Sequence, residues 1–184
     1  MKCEIENCAD EEIRFNVYQI HRRRILTQKQ FCQSHGRRFL EEYLTQEVNK
    51  VGQKENGIDP IEFDIALIAD NQSYDEFPGV VILNEVGGSR RRLVLITAWA
   101  FEQLFLALMN ATTPYVRTHL AWLEMIQSLN GVVDSVLIDS GEDKFWSAKV
   151  QFSDALQPRS VDLRPSDAFV LAIVSGAPIF LKGP

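Results

Sequence analysis

The sequence predicts an α+β fold, with a mixed or antiparallel sheet and helices packed on it. Strand patterns cluster and are then followed by helix patterns, and this order occurs twice along the chain. The helix pattern at 165–175 is apolar on all sides, so it must be buried. The 184 residues are 46% hydrophobic and 24% charged, a composition that can bury a core and that excludes disordered and fibrous proteins.

The N-terminal part of the chain contains a candidate metal site. Its ligand pattern is C-x4-C-x23-C-x2-H, formed by Cys3, Cys8, Cys32 and His35. Thiolate and imidazole are the donors of tetrahedral zinc sites, and four protein ligands leave no position for a catalytic water. The pattern therefore predicts a structural zinc. The alternative is three reduced thiols and an unrelated surface histidine, while the odd cysteine count disfavours disulfides.

The segment between the ligand pairs predicts a β-hairpin. Apolar and polar residues alternate at 13–17, a return strand follows at 25–31, and the turn falls near 21–23. Apolar residues at 39–48 recur at helical spacing. Such a small unit buries few large side chains, so zinc would stabilise it. We therefore expect a zinc-ribbon-like module with a following helix over 1–50.

A polar segment with two glycines and a proline, 51–60, predicts a linker to a second domain at 61–184. Strand patterns in this domain occupy 61–67, 80–83, 93–96, 132–138, 145–152, 160–163 and 178–181. Helix patterns occupy 101–108, 120–129 and 165–175. Gly87-Gly88 predicts a hairpin between the second and third strands. Ser166 is expected to cap the last helix, and Gly176 to end it in a left-handed conformation.

The distribution of charge argues against a protein that binds nucleic acid through bulk basicity. The net charge is −6, and residues 51–77 carry one basic and seven acidic side chains, which accounts for the whole excess. Elsewhere, arginines cluster at 22–24, 37–38 and 90–92. Each cluster can either contact phosphates or form an ordinary solvated surface.

Membrane insertion is not predicted. The most hydrophobic stretch, 98–109, is interrupted by Glu102 and Gln103, and the first residues contain no apolar export segment. We therefore expect a cytoplasmic protein without membrane contact.

The sequence Val-Asp-Leu-Arg-Pro-Ser-Asp-Ala at 161–168 resembles a motif of the bifunctional nuclease domain family. In that family a strand ending in Asp-x-Arg/Lys-Pro-Ser-Asp-Ala runs into a buried helix and then a Pro-Ile strand, which resembles 176–179 here. Phe101-Glu102 and Thr118-His119 are similar to the family's Glu-Ala and Thr-His elements. The resemblance covers about residues 61–182.

The chain departs from the family pattern at two places. Thr113-Pro114 stands where the family has Arg-Pro, with two extra residues before Thr118. Trp99-Ala100-Phe101 replaces a glycine ahead of the family's Glu. The arginine that could clamp a phosphate at the first of these places is therefore missing.

The resemblance implies cleavage of DNA and RNA with limited sequence preference, usually with a divalent ion, on an oligomeric α+β fold. The residues themselves support such chemistry. Asp162 and Arg164 share one face of a strand, and Asp167 follows at the start of a helix. Phosphodiester hydrolysis needs charge neutralisation and an activated water, which Mg²⁺ or Mn²⁺ held by carboxylates supplies.

This hypothesis gives each candidate catalytic residue a role. The metal ligands are Asp162, Asp167 and Glu102. Arg164 contacts a phosphate oxygen, His119 transfers a proton, and Ser166 orients a carboxylate or the phosphate. In the structural alternative, Arg164 pairs with a neighbouring aspartate, Ser166 only caps the helix, Glu102 is a first-turn charge and His119 is a surface histidine.

Two functions follow from these observations. The leading interpretation is a divalent-metal-dependent nuclease, in homo-oligomeric form, whose zinc module docks it to nucleic acid or to a protein partner. The alternative is a non-catalytic regulatory or interaction protein. In that case the α+β domain oligomerises or binds a small ligand, and the zinc module recruits the partner.

Overall fold

The computed structural model describes residues 4–5, 8, 15–45, 60–71, 79–88, 90–111, 114–139, 146–153 and 158–182. The strands are β1 (Phe15–His21), β2 (Arg24–Phe31), β3 (Ile61–Asn71), β4 (Gly79–Glu85), β5 (Arg91–Ile96), β6 (Val132–Asp139), β7 (Ser147–Ser153), β8 (Pro158–Leu163) and β9 (Ile179–Lys182). The helices are α1 (Gln33–Thr45), α2 (Ala98–Leu108), α3 (Pro114–Ser128) and α4 (Pro165–Ser175). These helices and the mixed, mostly antiparallel strand pairing confirm the predicted α+β fold.

The chain divides into two compact units, each made of two separate segments. Unit 1 comprises Met1–Lys54 and Ile65–Phe101, and unit 2 comprises Glu55–Asp64 and Glu102–Pro184. This grouping differs from the division expected from sequence because β1 pairs with the second half of β3. The domain boundaries at residues 50 and 60 remain a prediction.

Unit 1 is built by antiparallel strand pairing around an apolar core. β1 pairs with β2 and with β3, while β4 pairs with β3 and β5. Both predicted hairpins are present, one turning at Arg22–Arg23 and the other after Glu85. Gly87, in the second turn, has φ +73°, which glycine adopts without steric cost. The buried core residues of this unit include Phe15, Val17, Phe31, Leu40, Leu67, Ala69, Val80 and Ile82.

Helix α1 packs on this core through its aromatic side. Phe39 stacks on Phe31 with ring centroids 5.1 Å apart, and Tyr43 stacks on Phe39 at 6.0 Å. The helix begins at Gln33, earlier than the apolar pattern predicts. Its first three residues are polar, so they extend the helix without adding to the apolar stripe from which it was predicted. His35 therefore lies inside the first turn of α1, immediately after Cys32.

Gly36 permits the close approach of α1 to β1. A Cβ atom at this position would overlap the ring of Phe15, which is 1% exposed. We expect Gly36→Ala to destabilise the protein by about 1–3 kcal/mol, because overpacking outweighs the gain in helix propensity. Denaturant unfolding of this variant and of Arg37→Ala, at an exposed position of the same helix, measures the effect; equal stability of the two variants would contradict it.

Unit 2 places β9 inside a run of paired strands. The start of β3 pairs antiparallel with β9, and β9 pairs in parallel with β6. β7 and β8 then continue from β6 in antiparallel order. The sequence indicated that 178–181 returns to the sheet but did not identify its neighbours.

Helix α4 is the buried helix that its composition predicts. Its residues from Asp167 to Ala172 are buried, and α3 packs beside it. The helix ends at Gly176, which has φ +80° and donates its N–H to the carbonyl of Ala172. The predicted left-handed stop at Gly176 is therefore confirmed.

Candidate active site

A surface groove lies where β8 ends and α4 begins. Its walls are formed by Trp146, Ser147, Asp162, Leu163, Arg164, Pro165 and Asp167. Only Arg164 separates the last residue of β8 from the first residue of α4. This abrupt change from strand to helix brings three of the predicted site residues, Asp162, Arg164 and Asp167, to one groove.

Asp167 connects two of the other predicted site residues. Its Oδ2 accepts a hydrogen bond from Arg164 Nε at 2.8 Å, and its Oδ1 lies 3.4 Å from His119 Nε2. The side chain of Arg164 is 70% exposed, whereas those of Asp167 and His119 are 9% and 3% exposed. The three groups thus run from an exposed cation through a buried carboxylate to a buried imidazole.

His119 lies on α3 and reaches the groove only through Asp167. Its ring meets Trp122 edge-on, with centroids 5.1 Å apart. Its Nδ1 is buried and has no hydrogen-bond partner in the described part of the chain. In a neutral ring whose Nε2 donates to Asp167, Nδ1 is a hydrogen-bond acceptor. Burial shows that His119 is not a surface histidine, and its proposed role in proton transfer remains a prediction.

Asp162 is the accessible carboxylate of the groove. It stands opposite Lys149 in the antiparallel pair of β7 and β8, and Lys149 Nζ lies 3.6 Å from its Oδ1. The side chains are 86% and 48% exposed, so the pair contributes about 0–1 kcal/mol and can exchange for other partners. Lys149 is absent from the sequence prediction; hairpin pairing of the two predicted strands is the signal that would have found it.

Ser166 does not cap α4. The N-cap residue is Arg164, which is extended and makes no side-chain capping bond, and Pro165 occupies the first turn. The predicted capping role of Ser166 is therefore wrong, because Pro165 takes the first helical position and places the N-cap at Arg164, two residues before Ser166. Its role in orienting a carboxylate or phosphate remains a prediction.

The three carboxylates assigned to a metal do not form a preassembled cage. Glu102 lies on the exposed side of α2, and the described residues contain no group that joins it closely to Asp162 and Asp167. Mg²⁺, however, is commonly bound by one or two carboxylates together with substrate phosphates. The accessible carboxylate of Asp162 fits that donor set, whereas Asp167 already contacts Arg164 and His119.

Unit 1 contains a second group of candidate ligands. The ligand atoms of Cys8, Cys32 and His35 all lie within 4.8 Å of one another. Cys8 Sγ is 3.7 Å from Cys32 Sγ, and Cys32 Sγ is 3.2 Å from His35 Nδ1. Cys32 directly follows β2 and His35 lies in the first turn of α1, so the first helical turn sets their separation. Cys3, the fourth predicted ligand, lies outside the described residues.

These distances fit a tetrahedral thiolate–imidazole zinc site. With Zn–S bonds of about 2.3 Å and Zn–N bonds of about 2.0–2.1 Å, tetrahedral angles separate two sulfurs by about 3.8 Å and a sulfur from a nitrogen by about 3.6 Å. The observed sulfur–sulfur separation of 3.7 Å is close to the first value, whereas the sulfur–nitrogen separation of 3.2 Å is shorter than the second. The sulfur–sulfur distance is also far longer than a disulfide bond of about 2.05 Å.

The comparison with known families addresses the groove directly. The family model of the bifunctional nuclease domain matches residues 81–183, more than half of the chain. The chain belongs to the bifunctional nuclease domain family.

The match begins later than the resemblance seen in the sequence, yet it includes every candidate residue of the groove and His119. Membership of the bifunctional nuclease domain family supports a nuclease-type function and binding of nucleic acid. The cysteine–histidine cluster precedes the matched segment. The comparison with curated proteins gives no match. Among the described helices, none has the length and the apolar character needed to cross a bilayer.

Proposed function

We propose that this protein is a nuclease that hydrolyses phosphodiester bonds of DNA or RNA with low sequence preference. One observation supports this most strongly: an exposed guanidinium, that of Arg164, is held at the rim of a groove by a buried carboxylate. A fixed cation beside an accessible carboxylate is the arrangement that binding and cleaving a phosphodiester requires.

Arg164 binds a non-bridging phosphate oxygen and neutralises the charge that develops there. Asp167 fixes the guanidinium through the 2.8 Å bond to Nε, which lowers the entropy lost when substrate binds. His119 Nε2 contacts the other oxygen of the Asp167 carboxylate, Oδ1. Its burial suits a positioning residue, which sets the orientation of Asp167 and thereby that of Arg164.

Asp162 supplies the carboxylate that faces the substrate. It holds Mg²⁺ or Mn²⁺ together with the substrate phosphate, and the ion would supply charge neutralisation and an activated water. Lys149 forms an ion pair with the Asp162 carboxylate in the absence of substrate. This pairing reduces the repulsion between the negative charge of Asp162 and an approaching phosphate. Because both side chains are exposed, exchanging one partner for another requires little desolvation.

The N-terminal module binds a structural zinc ion through Cys8, Cys32 and His35, with Cys3 as the fourth ligand. Cys32 follows β2 directly and His35 lies in the first turn of α1, so a zinc ion held by these residues would link the β1–β2 hairpin to α1. A hairpin held in this way docks the nuclease to nucleic acid or to a protein partner.

Cleavage of a labelled single-stranded DNA and of an RNA of the same sequence tests the nuclease function. The zinc-loaded protein is dialysed free of Mg²⁺ and Mn²⁺, which are then added back; a chelator is avoided because it would also remove thiolate-bound zinc. We expect cleavage only after addition of the divalent ion. Asp162→Asn should abolish this cleavage and leave the unfolding curve unchanged, since the side chain is 86% exposed.

Lys149→Met is the matched control, because it breaks the same ion pair but keeps the carboxylate. It should retain cleavage at saturating substrate, with weaker substrate binding because Asp162 then lacks its neutralising partner. Equal losses in Asp162→Asn and Lys149→Met would show that the ion pair is structural, and unchanged cleavage by Asp162→Asn would remove the carboxylate from the mechanism. Binding of nucleic acid without cleavage under all conditions would favour the non-catalytic alternative.

A further inference from the structure

The turn between β1 and β2 is formed by two consecutive arginines in an unfavourable conformation. Arg22 has φ +49° and Arg23 has φ +61°, and the flanking pair is His21 with Arg24. A two-residue hairpin turn with positive φ at both positions is the type I′ turn, for which Asn-Gly is the favoured sequence. Bulky side chains in this region crowd their own backbone.

The sequence thus places arginine where both backbone strain and charge repulsion oppose it. Arg22 and Arg24 are both exposed and line the same shallow groove, so their like charges repel one another at the tip of the hairpin. Strained residues that persist in a structure are concentrated at functional sites. An anion that binds the tip would relieve the repulsion and account for the choice of residues.

The surface around the turn suits a polymer with both anionic and apolar parts. Arg22 and Arg24 are exposed, and together with His21, Ile25 and Leu26 they line a shallow groove. Leu26 is 68% exposed and therefore offers apolar surface beside the charged turn. Guanidinium groups contact phosphates, and an adjacent apolar side chain can contact a sugar or a base.

We propose that the Arg22–Arg23 turn is a binding site for the sugar–phosphate backbone of single-stranded nucleic acid. The inference rests on the proposed nuclease function only for its choice of polymer. The site belongs to unit 1 and precedes the segment that matches the nuclease family. The base of the hairpin, where Phe15 pairs with Phe31, adjoins Cys32 of the cysteine–histidine cluster.

The test uses the double variant Arg22→Asn/Arg23→Gly in the full-length chain. The probes are a fluorescein-labelled 20-nucleotide DNA and the RNA of the same sequence, with affinity measured across a salt series without Mg²⁺ or Mn²⁺. Loss of the phosphate contact of Arg22, the exposed member of the pair, should reduce the slope of log affinity against log salt by about 0.7 for a single strand. The same variant should melt roughly 2–4 °C higher, because Asn-Gly favours the turn. Lower affinity in a more stable protein cannot arise from misfolding.

A second variant and a control complete the test. Arg22→Gln/Arg23→Gln removes the charges without favouring the turn, and should lower the slope equally with no gain in melting temperature. Arg37→Gln/Arg38→Gln makes the same change in net charge at two exposed positions of α1, and should keep the wild-type slope.

Three results would overturn the inference. These are a wild-type salt slope in Arg22→Asn/Arg23→Gly, a wild-type salt slope in Arg22→Gln/Arg23→Gln, and an equal reduction of the slope in the α1 control. Absence of any binding by the wild-type chain would also overturn it. Loss of slope in a protein that never cleaves would contradict the nuclease function and leave this site intact. If the wild-type chain cleaves nucleic acid but the turn variants keep the wild-type salt slope, the nuclease function would be supported and this site contradicted. A difference between the DNA and RNA arms identifies the preferred polymer.

Discussion

Removal of zinc should lower the stability of the β1–β2 hairpin and α1, and Cys8→Ser should make the protein insensitive to zinc. Structural zinc contributes apparent free energies of about 10–16 kcal/mol in small modules that have no other core. The effect here should be smaller, because β1 pairs with β3 and because the hairpin and α1 share a buried apolar core with β3 and β4. Cys8 is the better position to change because it is only half-buried, whereas a serine at the fully buried Cys32 would be costly by itself.

The measurement compares melting of zinc-loaded and zinc-stripped protein, with zinc content determined for each. Cobalt substitution provides a second readout, since tetrahedral thiolate coordination gives a characteristic visible absorption. Ser34→Ala is the control: its hydroxyl lies 3.3 Å from Cys32 Sγ but is not a proposed ligand. Purified protein without zinc, or equal melting with and without zinc, would show that the cluster is only a packed thiol group.

Replacement of Asp167 should impair both cleavage and stability, in contrast to replacement of Asp162. Asp167→Ala leaves His119 buried with neither ring nitrogen paired in the described structure, at a cost of about 1–3 kcal/mol. Loss of the ion pair with Arg164 costs the protein little stability, because the Arg164 side chain is 70% exposed. Without Asp167, however, the guanidinium of Arg164 is no longer oriented toward the phosphate. We expect the rate of cleavage to fall about 10²–10³-fold, as when a preorganised electrostatic contact is removed.

A double-mutant cycle separates the two effects. In a His119→Leu background no buried imidazole remains to be satisfied, so Asp167→Ala should cost less stability there than in the wild type. Cleavage should stay low in both backgrounds, because Arg164 is unsupported in each. Equal destabilisation in the two backgrounds would argue that Asp167 and His119 do not interact.

Local sequence signals predicted much of the fold. Pro165 and Gly176 mark the two ends of α4 because proline suits the first helical position and glycine the left-handed stop. Alternating apolar residues predicted the β1–β2 hairpin, and Gly87-Gly88 between two apolar runs predicted the β4–β5 hairpin, because the paired strands are close in sequence in both cases. The position of β9 between β3 and β6 could not be predicted, because both pairings are long-range and leave no local pattern.

The candidate site divides in the same way. Asp162, Arg164 and Asp167 are neighbours in sequence, and the strand-to-helix corner brings them to one groove. His119 and Asp167 are 48 residues apart, so their direct contact depends on the packing of α3 on α4 rather than on either segment alone. The cysteine pattern predicted the approach of Cys8, Cys32 and His35, because ligand spacing is itself a local signal.

The central position of β9 also has a consequence for biosynthesis. During translation, β6, β7 and β8 emerge in order and can pair with their neighbours, but the strand that joins them to β3 emerges only after α4. Until then, β3 and β6 each present backbone groups that await a partner, a state prone to intermolecular strand pairing. Completion of this unit therefore waits until β9 has left the ribosome, and a chaperone that binds the nascent chain before that point would prevent such pairing.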